Sequence, residues 1–283
     1  MPVMRNRLYK ALLVAFSLVM PVMAGADESV ESLFQPWQQL LDAHLEEKDL
    51  DGGGLVSAFD YRAALEAPET GELLARQRDA LAAFKPDEID EKYEAIAFWL
   101  NAYNFFMVEY ILENPVDGEL IDSVWDYGGR YNPFRDSVFT REVFNIGGDE
   151  YSLDTMEKGM LLGDEFRDRG WKEARVHFAV NCASVGCPPL RDQVYTSDNT
   201  DELLTENTRR AFQTDRHLTF ENDTLKLTSV IDWYKDDYRE EADTLRDWVK
   251  RYTDETLHAR IDNADRIRYL DYDWSLNSPE NLE

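Results

Sequence analysis

The stretch HFAVNCASVGCPPL, residues 177–190, holds both cysteines of the 283-residue chain and one of its four histidines. A thiol reacts as its thiolate, so its environment decides what it can do. Two thiols separated by four residues, Cys182 and Cys187, offer three kinds of chemistry. Cys182 can be a nucleophile for acyl transfer or hydrolysis, with His177 as base or orienter and Asn181 as polar stabiliser. The pair Cys182 and Cys187 can instead cycle between dithiol and disulfide. Third, the loop can be a structural staple beneath a non-catalytic binding surface.

The spacing constrains each reading. Along a strand, residues five apart face opposite sides, so His177 meets Cys182 only if the chain bends at Asn181; His217 is the other histidine that a hairpin might bring near. Cys-x4-Cys is not the Cys-x2-Cys of thioredoxin-like sites. Pro188-Pro189 prevent Cys187 from opening a helix normally, so a helix N-terminus is not assured to lower its pKa. Two cysteines and one histidine fall short of a closed zinc site, and no metal or other cofactor is expected. G-x-S-x-G and G-x4-GK[ST] are both missing from the sequence. With 57 acidic residues, carboxylate pairs carry no signal.

The elements that must position this loop are legible in part. ARVHFAVN, 174–181, reads as a buried strand running into it. DEIDEKYEAIAFWLNAYNFFMVEYILEN, roughly 88–113 and halted by Asn114-Pro115, is the strongest helix. It is apolar nearly all round and should be the central buried helix. Asn101 and Asn104 share one face of it. Buried amides must find partners, and most do so on backbone. If the backbone they hold is the Cys loop, they belong to the site as polar stabilisers. Further helices are expected at 34–47, 72–84, 153–167, 198–213 and 240–253, with another starting at Ser229. The 153–167 helix has Ser152 or Asp154 as cap, Asp154 and Glu157 standing at capping-box spacing. Hairpins are expected around Gly147-Gly148 and Asn222-Asp223. The sum is an α+β fold, a mostly helical single domain with a small antiparallel sheet in the second half.

The chain is 43% hydrophobic and 12% aromatic, which excludes a disordered class. Its formal net charge of -27 repels nucleic acid and anionic lipid. Arg5, Arg7 and Lys10 precede the apolar run ALLVAFSLVMPVM and the small residues Ala24-Gly25-Ala26. This predicts a signal peptide over 1–26, cleaved after Ala26. The run is shorter than the roughly 20 residues of a membrane span, so no stable anchor is expected after cleavage. The expected product, 27–283, is a soluble periplasmic or secreted protein. Its partner is an unspecified small molecule, peptide or protein. Exported thiol pairs tend to oxidise. Within LEEKDLDGGGLVSAFDY, Asp49, Asp51, Gly54 and Asp60 match positions of a calcium loop, but Gly53 supplies no ligand and Asp60 replaces the usual Glu. The plainer reading is a Gly-rich turn into a strand.

Four pieces combine into a resemblance: AFWLNAYNFFMVEYILEN, NIGGDEYSLDTMEKGML, RVHFAVNCASVGCPPL and the ending YLDYDWSLN. Together they resemble the domain-of-unknown-function family numbered 547, over roughly residues 55–276. The resemblance implies no settled activity. Family members look like exported bacterial proteins, and like intracellular plant and animal proteins, some joined to a glutaredoxin-like module. That implies a link to thiol chemistry. The positions corresponding to the family motif are Asn101, Asn104, His177, Asn181, Cys182, Cys187, Pro188 and Pro189. This sequence departs at Lys158, where relatives carry a His after the Glu.

Overall fold

A computed structural model describes residues 29–130 and 136–282. The segment read as a signal peptide lies outside the described residues.

The fold is built round the helix Lys92–Glu113, whose side chains are buried on every face from Ala95 to Val108. A helix with no polar face has nothing to offer water and must sit inside. Among the described helices it is the one long and apolar enough to cross a bilayer, but its most apolar stretch is 94% buried within the protein. Glu91 caps its start by accepting from the Glu94 amide at 2.8 Å. It stops before Asn114-Pro115, because a proline disfavours helical geometry in the residue before it. Its rings set the core: Phe98 packs 4.9 Å from Phe84, Phe105 5.9 Å from Trp37, and Phe106 4.7 Å from Phe144.

Helices Val30–Leu33, Gln35–His44, Tyr61–Glu66 and Thr70–Ala83 precede it in the chain. The strands form small sheets, in a mostly helical α+β architecture. Leu45–Asp49 pairs antiparallel with Leu55–Phe59. Phe144–Ile146 pairs antiparallel with Asp149–Tyr151 across Gly147 and Gly148, whose φ of 64° and 96° suit glycine. In the second half Leu218–Glu221 and Thr224–Leu227 form a hairpin. Arg266–Tyr269 then adds to it in parallel. A parallel neighbour needs a long crossover, supplied by helices Ser229–Trp233, Lys235–Glu241, Leu245–Lys250 and Glu255–Asn263.

Several expected elements differ. ARVHFAVN is not a strand but a 3-10 turn, Ala174–Phe178. Among the described residues no strand pairs with it, and its backbone finds other partners. The Ala174 amide donates to Glu241, the Phe178 carbonyl accepts from Asn207, and the Ala179 amide closes onto Val176 at 2.9 Å. The helix expected at 153–167 is a π-helix, Thr155–Leu161, followed by a short helix, Asp164–Asp168. Ser152 stands before it and accepts from the Thr155 amide at 3.0 Å. Asp154 pairs with Lys158 instead of forming a capping box with Glu157. The helix Ser229–Trp233 is capped by Thr228 rather than Ser229. The Gly-rich turn does lead into a strand. Asp60 there caps helix Tyr61–Glu66 and Asp49 pairs with Arg210, so both are engaged outside any calcium loop.

Two apolar clusters result. The larger surrounds the central helix. The smaller gathers Phe212, Leu225, Tyr238 and Trp248 between the three-stranded sheet and the last helices. The 3-10 turn joins them: Val176 and Ala179 enter the first, Ala174 and Phe178 the second. Phe178 is fully buried and lies 5.1 Å from Phe212 and 5.9 Å from Trp248. Phe178→Ala is expected to destabilise the protein by about 3–5 kcal/mol. The urea midpoint measures this, and an unchanged midpoint would contradict the joint between the two clusters.

Candidate functional site

The Cys loop is held from below by the central helix. Asn104 accepts from the Asn181 amide at 2.8 Å and donates to the Ala179 carbonyl at 3.0 Å. Asn101 makes the same two-bond clamp on Tyr195, at 2.9 and 2.7 Å. Both amides therefore act on backbone. Asn181 ties the loop to itself: its carbonyl oxygen accepts from the Ala183 amide at 2.9 Å, and its nitrogen donates to the Pro188 carbonyl at 2.9 Å. The two prolines bring no N–H, so their carbonyls are what must be satisfied. Asn207 takes the second of these at 2.9 Å. These bonds hold Ala183 at a φ of 58°, a conformation few side-chain-bearing residues adopt.

The C-terminal tail clamps the loop from above. The Val185 amide donates to the Ser275 carbonyl at 2.8 Å, and the Gly186 amide to Asp273 at 2.9 Å. A Cβ on Gly186 would stand 3.0 Å from the Asp273 backbone and the Tyr272 ring, so glycine permits this close approach. The approach delivers Tyr272. Its hydroxyl lies 3.0 Å from Sγ of Cys182 and 3.0 Å from Sγ of Cys187. The two sulfurs, as free thiols, are 2.6 Å apart. The Cys182 amide also donates to Cys187 Sγ at 3.0 Å.

This cluster makes the two thiols unequal. The hydrogen bond from Cys187 lowers the Cys182 pKa, with Tyr272 and Ser184 adding to it against the opposing effect of burial. Burial and its bond to Cys182 push Cys187 well up. Cys182, which is half-buried, is thus the sulfur that ionises first, while buried Cys187 keeps its proton.

Both sulfurs line a cavity of about 340 Å³. One wall is aromatic, with Trp125, Trp233, Tyr272 and Trp274. Another comes from the π-helix and its entry, with Asp154, Glu157 and Lys158. His177 completes it, fully buried and stacked 3.9 Å from Tyr234. Its Nε2 lies 2.9 Å from Asp237 and its Nδ1 3.6 Å from Glu157. Burial alone would lower the His177 pKa, but the bonds to Asp237 and Glu157 outweigh it and raise it. Asp237 answers in kind. Burial favours its neutral form, yet His177 and Lys172 bring its pKa down to about 2.

The placement of the expected residues is therefore mixed. Asn104, Asn181, Cys182 and Cys187 come together. His177 shares the cavity, but its Nε2 bonds Asp237 and its Nδ1 faces Glu157. Asn101 holds the neighbouring Tyr195 backbone. His217 reaches the loop at the Cys187 backbone, not at a sulfur, and burial with Arg216 nearby lowers its pKa to about 4. His44 faces Thr70 at 3.5 Å and His258 the Lys250 carbonyl at 2.9 Å. Sequence reasoning missed Tyr272, Glu157, Asp237 and Asn207 as site residues. The aromatic density of YLDYDWSLN was the available signal for Tyr272. Among the described residues, no three His, Cys, Asp or Glu side chains gather to hold a metal ion.

The matched family covers the loop, the π-helix and the central helix. Residues 86–211 match the family described as Protein of unknown function, DUF547. The resemblance read from the sequence is borne out over that segment. No curated protein and no solved structure matches the chain. Trp233, Tyr272 and Trp274 lie beyond the DUF547 segment, so the cavity is built jointly by it and by the chain that follows. Lys158 lines the cavity and pairs with Asp154 at 2.6 Å.

Two outcomes are expected. Tyr272→Phe removes a hydrogen bond to the ionising sulfur, so Cys182 alkylation at pH 7 should slow by about tenfold, the worth of one bond to a charged group. Iodoacetamide kinetics with mass detection reads it, and an unchanged rate would refute the assignment. Second, NMR titration should find His177 titrating above its ordinary 6.5 and His217 near 4. A raised folded pKa means His177 contributes stability in full below pH 6.5, lost as pH rises through its folded value.

Proposed function

We propose that the protein is a thiol–disulfide redox protein in which Cys182 attacks and Cys187 resolves. The observation that carries this is the meeting of both sulfurs and the Tyr272 hydroxyl at the cavity. An acyl-transfer or hydrolase reading needs a base on Cys182, and each of the four histidines hydrogen bonds elsewhere. A pure staple does not call for a half-buried sulfur with a lowered pKa in an open cavity.

The chemistry balances without any cofactor. The Cys182 thiolate attacks one sulfur of a substrate disulfide. A Cys182–substrate disulfide forms, the substrate S–S bond breaks, and the released thiolate takes a proton from water. Cys187 then loses its proton to solvent and attacks the Cys182 sulfur. The Cys182–Cys187 disulfide forms and the second substrate thiolate leaves, to be protonated in turn. The reverse sequence oxidises a dithiol. Tyr272 donates to whichever sulfur carries the negative charge, lowering the energy of the thiolate in each step. Cys187 needs a high pKa at rest so that only one thiol attacks first. An exported, periplasmic setting, expected from the N-terminal sequence, would supply disulfide partners.

The test uses bis(2-hydroxyethyl) disulfide and the fully reduced protein. Alkylation and intact mass should count two free thiols before reaction and none after. Cys187→Ser should stop at a trapped mixed disulfide on Cys182, and Cys182→Ser should not react. If Cys187→Ser instead turned over like wild type, Cys182 would be a lone nucleophile and the redox reading would fall.

A further inference from the structure

Trp233 is one of three large apolar side chains exposed among the described residues, at 48%. The other two, Leu65 and Val143, lie outside the Cys cavity. Trp233 ends the helix Ser229–Trp233 and is not loose. Its indole stacks on Trp274 with ring centres 5.6 Å apart and planes at 22°. It also lies 4.8 Å from Tyr272, the ring that touches both sulfurs. Trp274 continues the wall to Trp125 at 4.9 Å. An indole is thus fixed against the aromatic wall, about half exposed, and set one ring away from the reacting sulfur. Exposed aromatic surface beside a concave site is what a ligand covers.

Charge narrows the ligand. The chain carries a formal charge of -27, and the cavity wall holds Asp154, which pairs with Lys158, and Glu157, which faces His177. Glu157 is buried, with its Oε1 3.6 Å from His177 Nδ1. Lys158, the lysine in the wall, is already paired with Asp154. A small anionic thiol carrying free carboxylates would meet the repulsion of the chain's net negative charge. The cavity volume of about 340 Å³ accommodates a sulfur with its neighbouring side chain rather than a folded surface.

We propose that Trp233 selects the substrate, which is a polypeptide disulfide carrying an aromatic side chain beside its sulfur and no negative charge there. This rests on the redox reading and names its substrate class. The aromatic side chain stacks on the exposed part of Trp233 while the substrate sulfur meets Cys182. The exchange is the one already balanced, with the substrate S–S bond reduced as Cys182 and Cys187 are oxidised.

The test compares oxidants of the reduced full-length protein. Three short disulfide-linked peptide dimers differ only in the residue before Cys, which is Trp, Gly or Asp, and bis(2-hydroxyethyl) disulfide is the fourth oxidant. Rates come from thiol loss by alkylation and mass. The Trp dimer should react about tenfold faster than the Gly dimer, the worth of one aromatic stack, and the Asp dimer slower than both. Trp233→Ala should bring the Trp-to-Gly ratio near one, and Trp233→Phe should restore most of it. Unfolded chains expose both thiols and exchange without selection, so the ratio is read below the urea midpoint of each variant, and Trp233→Phe serves as the folded control. Equal rates for the Trp and Gly dimers in the wild type, with the small disulfide reacting, would overturn the selection by Trp233 and leave the redox reading standing. If none of the four oxidised the pair, both would fall.

Discussion

The two hydrogen bonds from Asn104 to the Cys loop are the constraint on which the site depends. The amide sits inside a helix buried on all sides, where its polar atoms have no access to water. It satisfies them on the Ala179 carbonyl and the Asn181 amide. Leaving a buried donor or acceptor unpaired costs about 1–3 kcal/mol each. The helix and the loop therefore fix each other: the helix needs the loop's backbone, and the loop has no strand to lean on. Asn181 carries the constraint onward to Ala183 and Pro188, and the sulfurs on either side follow.

A second layer of constraint is electrostatic. His177 lies fully buried between Glu157 and Asp237, and Lys172 closes the outer side of Asp237 at 2.6 Å. A charge taken out of water is tolerated only when paired. The alternation of carboxylate, imidazole, carboxylate and ammonium meets that demand along a line from the cavity to the surface. It also joins the π-helix of the larger cluster to the helix Lys235–Glu241 of the smaller one. His177 acts as a fastening between the two, and it leaves Cys182 to be governed by Cys187 and Tyr272.

The asymmetry of the thiols follows from the hydrogen bond between them and from burial. Two cysteines in the same loop would ionise alike if equally solvated. Here Cys187 is buried and Cys182 only half-buried, while Tyr272 reaches both. The tail can come this close because residue 186 has no side chain. Trp233 and Trp274 then line the approach to the half-buried sulfur, so the chain after the DUF547 segment shapes what that sulfur can meet.

The sequence by itself determined the central helix, the hairpin turns, the loop that holds both cysteines, and the pairing of Asn101 and Asn104 on one face. These are local facts. Helical and strand periodicities, the stop at Asn114-Pro115 and Gly-Gly turns depend on residues a few positions apart. The sequence also misread ARVHFAVN as a strand, because apolar alternation reports burial but not whether a partner strand exists. Only the tertiary structure decided that. It decided, too, that His177 pairs with Glu157 and with Asp237, sixty positions away, and that Tyr272 meets sulfurs 85 and 90 positions earlier. Such contacts are set by how the tail and the last helices pack over the loop. No spacing rule within one segment encodes the distance between two segments whose meeting is fixed by a shared core.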